Sequence, residues 1–371
     1  NRPFVAPGSA EQIVHTLEAR RLSGAGPLGD EAERLLSPHV GGGRALLTTS
    51  GTHALELMVH LIGIKPGDEV IVPSFTFSST AAAVVMAGGT PVFVDVDDFL
   101  AVHPDRVAEA VTPKTRAVIV VHYAGIPGDL SALRDVTDDS GITLLEDNAH
   151  GLGASFQGKP LGSLGLLSAQ SFHETKNIQC GEGGAVIVND DALVERAEVL
   201  REKGTNRSRF FRGEVDKYTW IDTGSSWVMA EILAGVLVTQ LKHFSSIQAR
   251  RHRIWGAYHD GLSDWAATHG VLTPQVPTGA AHPAHLYFLR LPTGLRRADF
   301  IGHLSARGIH ATFHYQPLHS STAGQRFGRV VGDMATTDAL AENLVRLPLW
   351  PEMTEAQIGR VVEAVQETEP A

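Results

Sequence analysis

Between Gly43 and Val188 the chain repeats one pattern: a short apolar run, a turn rich in Ser, Thr, Gly or Pro, then a helical stretch. Arg44–Thr48, Glu69–Val72, Pro91–Val96, Arg116–His122 and Ile142–Asp147 are rich in Val and Ile and lack polar alternation. Runs of this kind are strands covered on both faces. Their alternation with helices at Ala54–Ile62 and Ser79–Ala87 predicts a parallel α/β sheet. Such a sheet restricts where chemistry can sit, because ligands gather beyond the carboxyl ends of its strands.

Asp147 stands at one such end, within Glu146-Asp147-Asn148-Ala149-His150-Gly151. It reads either as a catalytic carboxylate or as an ordinary turn or cap residue. Two more apolar runs flank a polar segment that carries a single lysine, Lys176, followed by Gly181, Glu182, Gly183 and Gly184. A lysine on a sharp turn between strands, with the hydroxyl of Ser171 five positions earlier, suits a desolvated nucleophile that forms a Schiff base. A solvated surface lysine fits the spacing equally well. Thr49-Ser50-Gly51-Thr52, before the helix at Ala54, offers free amides and a positive dipole end to an anion, or is a plain Ser/Thr cap. The segment Gly204–Trp220 is long, basic and aromatic. A structureless stretch of that length inside a compact domain is usually functional, here an interface or a substrate lid.

The 371 residues suffice for one large domain and a smaller one. We place the boundary near Ile247: residues 1–247 form the large domain, opened by two helices within residues 1–40, and 248–371 form the small one. In the small domain the pattern predicts a strand at Ala284–Leu291, a helix at Ala298–Arg307 and an apolar run at Ile309–Tyr315. Helices are expected over Thr337–Arg346 and Thr354–Thr368. A net charge of −10 argues against nucleic acid or an anionic membrane as the main partner. The single cysteine, Cys180, excludes an intrachain disulfide and suits a reducing compartment. No apolar stretch is long enough to span a bilayer and no signal-peptide pattern opens the chain, so a soluble cytoplasmic protein is expected.

Ser50-Gly51-Thr52, Pro73-Ser74-Phe75-Thr76-Phe77, Glu146-Asp147-Asn148-Ala149-His150 and Ser171-Phe172-His173-Glu174-Thr175-Lys176, in this order, resemble the DegT/DnrJ/EryC1/StrS nucleotide-sugar aminotransferases over nearly the whole chain. The Glu202–Trp220 loop, Gly224-Ser225-Ser226 and Phe313-His314-Tyr315-Gln316-Pro317-Leu318-His319 are similar to the branch that makes dTDP-4-amino-4,6-dideoxygalactose. The resemblance implies a fold type I, pyridoxal 5'-phosphate (PLP)-dependent enzyme: a large domain with a mixed seven-stranded sheet and a smaller C-terminal α+β domain. It implies that Lys176 is the Schiff-base lysine, that Asp147 pairs with the pyridine nitrogen and that His150 lies beside the ring hydroxyl. Phe77 would stack on the ring, and Gly51, Thr52 and Ser171 would hold the phosphate. Ser226 falls where many members carry an asparagine that reaches the neighbouring subunit's phosphate.

The implied substrates are L-glutamate and a dTDP-4-keto-6-deoxyhexose, and the implied assembly is a homodimer or a dimer of dimers. Arg209, Arg212, Lys217 and Tyr218 would grip the nucleotide, His314 and Tyr315 the hexose, and no metal is assigned. Two other readings of the resemblance are a cofactor-dependent sugar dehydratase, in which histidine replaces the lysine, and a catalytically silent sensor. The lysine is present, and no attached binding domain is visible.

Overall fold

The computed structural model describes residues 2–368. Strands β1 (Arg44–Thr48), β2 (Glu69–Pro73), β3 (Thr90–Val94), β4 (Thr115–Val121) and β5 (Thr143–Asp147) follow the apolar runs closely. Then come β6 (Ser155–Phe156), β7 (Lys159–Pro160), β8 (Leu167–Ser171) and β9 (Gly184–Val188). The C-terminal part supplies β10 (Ala280–Ala281), β11 (Tyr287–Arg290), β12 (Thr312–Phe313), β13 (Arg329–Val330) and β14 (Leu344–Leu347).

The main sheet has the order β1-β9-β8-β5-β4-β2-β3-β13. Only β9 opposes its neighbours; the other pairings are parallel. Successive side chains of a strand point to opposite faces, and both faces are covered. Ala117 and Ile119 of β4 pack into the cluster that holds Leu57 and Met58 from the helix Gly51–Leu61. Val118 and Val120 pack on the other side with Leu130 and Leu133 of the helix Leu130–Ser140. Uninterrupted Val and Ile in these strands is thus the signature of burial on two sides.

Four features depart from the expectations. The sheet has eight strands, not seven: seven arise within residues 44–188, and β13 adds an eighth, parallel to β3. A two-residue strand has no periodicity to read. Position 328 must be glycine there, since a Cβ would lie 2.4 Å from the Phe93 ring. The helix expected over Thr337–Arg346 stops at Asn343, and Leu344–Leu347 is instead the central strand of a three-stranded sheet, between β11 and β12. Leu340, Leu344 and Leu347 fall at helical spacing, yet Pro348 disfavours helix at the residue before it. The long segment 204–220 contains a helical turn, Arg207–Phe211. The sequence also predicts a long apolar helix from Ala230 to about Phe244 that continues as a basic one over Gln248–Tyr258; the chain instead divides at His243 into Glu231–Lys242 and Phe244–His269.

The second of those helices links two cores. Ile247 packs with Phe172, Ile187 and Leu237. Two turns later Ile254, Tyr258 and Leu262 pack against Tyr287, Leu289, Val345 and Leu347.

Candidate active site

Strand β5 ends in two acids that the pleat sends to opposite faces. Glu146 turns inward, where its carboxylate accepts from His122 and from the amides of Gly162, Leu164 and Gly165, at 2.6–2.9 Å. That arrangement fixes the chain leaving the strand. Asp147 turns to the other side, buried, with Oδ2 accepting from Thr80 at 2.8 Å and Oδ1 from the Ala149 amide at 3.2 Å. Burial raises its affinity for a proton, partly opposed by those two donors and by the nearby Lys176 charge.

Lys176 lies on the excursion between β8 and β9. The excursion is closed by Phe172 N–H to Gly183 O at 2.8 Å, Cys180 N–H to Phe172 O at 2.9 Å and Glu174 N–H to Gly181 O at 2.9 Å. The next residue, Asn177, is buried and donates to Gln248 and to the Pro283 carbonyl, which anchors the backbone beside the lysine. Desolvation lowers the Lys176 ammonium from 10.5 to about 8; the Asp147 charge opposes that shift and Arg346 reinforces it. The free-amine fraction near neutral pH is therefore small, yet far larger than for an exposed lysine.

The helix Gly51–Leu61 begins at the same cavity. Ser50 caps it, its hydroxyl accepting from the His53 amide at 3.1 Å. The amides of Gly51 and Thr52 lie in the first turn, where no carbonyl of the helix can reach them. The Thr52 hydroxyl meets that of Ser79 at 2.7 Å. At position 51 a Cβ would come within 2.9 Å of Ser171 Cβ. Glycine thus lets helix and strand approach closely around a small concave, amide-lined end.

A cavity of about 680 Å³ joins these parts. Gly51, Thr52, Phe77, Asp147, His150, Ser171, Lys176, His314 and Tyr315 line it. Three of its histidines are held neutral at pH 7: burial lowers His150 and His285 well below their usual range and His314 to about 2. His150 Nδ1 accepts the Ala124 amide at 3.3 Å, so its proton resides on Nε2, which becomes a donor. His285 is held the other way, donating from Nδ1 to Asn177 Oδ1 at 2.7 Å, because that amide's nitrogen is already committed elsewhere. His314 stacks on Tyr315 at 4.0 Å and shares a 3.0 Å hydrogen bond with the Tyr123 hydroxyl. Phe77 is 59% exposed, an open ring face inside the cavity.

The remaining candidates lie elsewhere. Ser226 is exposed and bridged to Glu202. Arg209 pairs with Glu195 and Glu214, and Arg212 with Glu198 and Glu214, at 2.7–3.2 Å. Lys217 and Tyr218 are exposed beside them. None of these lines the cavity of its own chain. Sequence reasoning also passed over Thr80, His285 and Arg346. The first two carry no local signal. Arg346 had one: the run Leu344-Val345-Arg346-Leu347 before a proline has strand rather than helix punctuation.

The cavity thus brings together the free amides of a helix start, a buried carboxylate with no ion-pair partner among the described residues and a lysine of lowered proton affinity. A phosphorylated pyridine aldehyde matches that set, since its ring nitrogen supplies the missing cation and its aldehyde suits the amine. On a mixed sheet of this order, these are the features of a PLP-dependent enzyme of fold type I.

Sequence comparison gives the family: residues 7–366 match the model of the DegT/DnrJ/EryC1/StrS aminotransferases, and the chain belongs to that family. It is similar to DesV from S. venezuelae, at 34% identity and TM-score 0.87, with 97% of this chain and 93% of that one covered. DesI, solved in the presence of its TDP-sugar product, is 31% identical with TM-score 0.87, covering 98% and 91% of the two chains. Spr1654 from Streptococcus pneumoniae, in its PLP-form, is 26% identical with TM-score 0.89 over 98% and 96%. The protein is therefore an aminotransferase of the sugar aminotransferase class, and PLP is its cofactor. Among the described residues no helix is long and apolar enough to cross a membrane.

Proposed function

We propose that this enzyme moves the amino group of L-glutamate to the 4-keto carbon of a dTDP-4-keto-6-deoxyhexose, giving a dTDP-4-amino-4,6-dideoxyhexose. The observation that carries this reading is the meeting of Lys176, Asp147 and the Gly51–Thr52 cradle in one cavity large enough for a hexose beside the cofactor. The similarity to DesI, which binds a TDP-sugar product, supports the substrate class.

The cofactor supplies an electrophilic carbonyl and an electron sink. In this reading Lys176 Nζ would hold it and, as a free amine, would take and return a proton. Asp147 would keep its ring nitrogen protonated, and that charge would in turn stabilise the carboxylate. His150 Nε2 would donate to its hydroxyl, and Phe77 would cover the ring. Gly51 and Thr52, with the Ser171 hydroxyl, would bind its phosphate. His314 and Tyr315 contact the hexose. Ser226, Arg209, Arg212, Lys217 and Tyr218 act across a homodimer, or a dimer of dimers, on the neighbouring cavity, where the arginines meet the diphosphate. A soluble cytoplasmic location fits the substrates and the single, buried Cys180.

The test is to incubate the holoenzyme with L-glutamate and dTDP-4-keto-6-deoxyglucose and to assign the product by NMR. An amine at C4 is the expected result, and the coupling constants report whether it is axial or equatorial. Amination at another carbon, or none with this ketone, would overturn the substrate assignment.

A further inference from the structure

We propose that Thr80 is the positioning residue for Asp147: its hydroxyl, backed by that of Thr76, holds the carboxylate in place and charged for the cofactor's ring nitrogen. The inference rests on the reading above, that Asp147 serves that nitrogen.

Thr80 stands in the first turn of the helix Ser78–Met86, where its N–H meets Phe77 O at 3.3 Å. It has no exposed surface and no place in the cavity wall, which Thr76, Phe77, Ser79 and Asp147 do line. It therefore acts only through its neighbours. Its Oγ1 lies 2.8 Å from Asp147 Oδ2 and 3.0 Å from Thr76 Oγ1. An ionised carboxylate has no proton to give, so Thr80 donates its one hydroxyl hydrogen to Asp147, and Thr76 then donates to Thr80. Both hydroxyl protons run the same way along Thr76, Thr80 and Asp147. Each such bond polarises the next, and a bond to a charged oxygen is roughly twice as strong as one to a neutral oxygen. The two threonines thus favour the ionised carboxyl.

Burial works the other way. Among the groups that oppose it, the Thr80 hydroxyl comes first, ahead of the Ala149 amide and of the Lys176 and His122 charges. With Oδ2 held by Thr80 and Oδ1 by the Ala149 amide at 3.2 Å, the plane of the carboxylate is fixed. The same helix start carries Phe77 and Ser79, and the Ser79 hydroxyl meets that of Thr52 at 2.7 Å. One turn of helix therefore sets the carboxylate, the open ring face of Phe77 and the Gly51–Thr52 amides relative to one another.

The test compares two cofactors on the apoprotein: PLP, and its deaza analogue, in which carbon replaces the ring nitrogen. Thr80→Val keeps the shape of the side chain and removes the donor. By equilibrium dialysis its Kd for PLP should rise about tenfold, the loss of a bond to a charged group, while the Kd for the deaza analogue stays within about twofold. In the PLP-loaded variant kcat should fall at least about tenfold, with the KM of each substrate within about twofold of wild type. Nitrogen NMR of ring-labelled PLP should show the ring nitrogen less protonated than in wild type. Thr80→Ser returns the hydroxyl on a smaller side chain and should restore the preference for PLP over the deaza analogue.

Equal weakening of both cofactors, or a ring nitrogen as protonated in Thr80→Val as in wild type, would overturn the proposal and leave Thr80 a packing residue. If Thr80→Val loads neither cofactor, Thr76→Val carries the test, since it keeps the Thr80 hydroxyl and removes only the donor behind it. A smaller loss confined to PLP is then expected; an equal loss for both, or none, overturns the proposal. Asp147→Asn separates this outcome from the reading beneath it. If that variant keeps the wild-type preference for PLP, or wild type has none, Asp147 does not serve the ring nitrogen. If Asp147→Asn loses the preference and Thr80→Val keeps it, only the part of Thr80 fails.

Discussion

Lys176 is held in a setting that disfavours its own charge. The cavity lowers its proton affinity from 10.5 to about 8, so the unfolded chain binds that proton more tightly than the folded one. The resulting destabilisation of the apoprotein is complete below pH 8 and is relieved as the pH rises toward 10.5. Lys176→Met should therefore melt at a higher temperature than wild-type apoprotein at pH 7, and the difference should shrink between pH 8 and 10.5 in thermal scans. A difference independent of pH would mean that the amine is not its source. Lys176→Ala should abolish turnover altogether, while the Gly51–Thr52 cradle still holds phosphate. Full activity in that variant would remove the lysine from the reaction.

At the scale of elements, the cradle depends on how closely strand β9 passes under the helix Gly51–Leu61. A Cβ at Gly184 would lie 2.3 Å from the Ser50 carbonyl oxygen and 2.6 Å from the Gly51 amide, contacts with backbone that cannot rotate away. Gly184→Ala should push the helix start off the cavity. Cofactor affinity should fall at least about tenfold and stability by roughly 1–3 kcal/mol, as for an overpacked core; equilibrium dialysis and denaturant titration measure the two. Unchanged affinity would show that the cradle tolerates displacement.

The same elements explain what the sequence made legible. Strands β1 to β5 stood out because burial on both faces leaves runs such as Val70-Ile71-Val72 unbroken, and turns rich in Ser, Thr and Gly mark where they stop. Lys176 and Asp147 stood out because they interrupt or end such runs. The C-terminal sheet did not. Its strands are short, and in β14 the leucines obey helical spacing until Pro348 ends the run. Arg346 was hidden with them, since its environment comes from Thr312 and Phe288, residues far away along the chain.

At the scale of the whole molecule, the segment around Arg207–Phe211 presents Phe211, Trp220 and Ile221 at 67%, 77% and 53% exposure. Large apolar side chains exposed in one segment invite a cover, and a second copy of the chain is the proposed one. Light scattering should report a dimer or a dimer of dimers at assay concentration. Trp220→Glu should raise the dissociation constant at least about tenfold and reduce activity in step; an active monomer would contradict the assembly. The eighth strand bears on a different matter, the exchange of parts between relatives. Strand β13 reaches back from the C-terminal part to complete the sheet edge at β3, and Arg329 there clasps Glu69 through hydrogen bonds of 2.7 and 2.9 Å. A chimaera joined at residue 247 would therefore set one parent's strand on the other parent's sheet, and Glu69 and Arg329 can be inherited only as a pair.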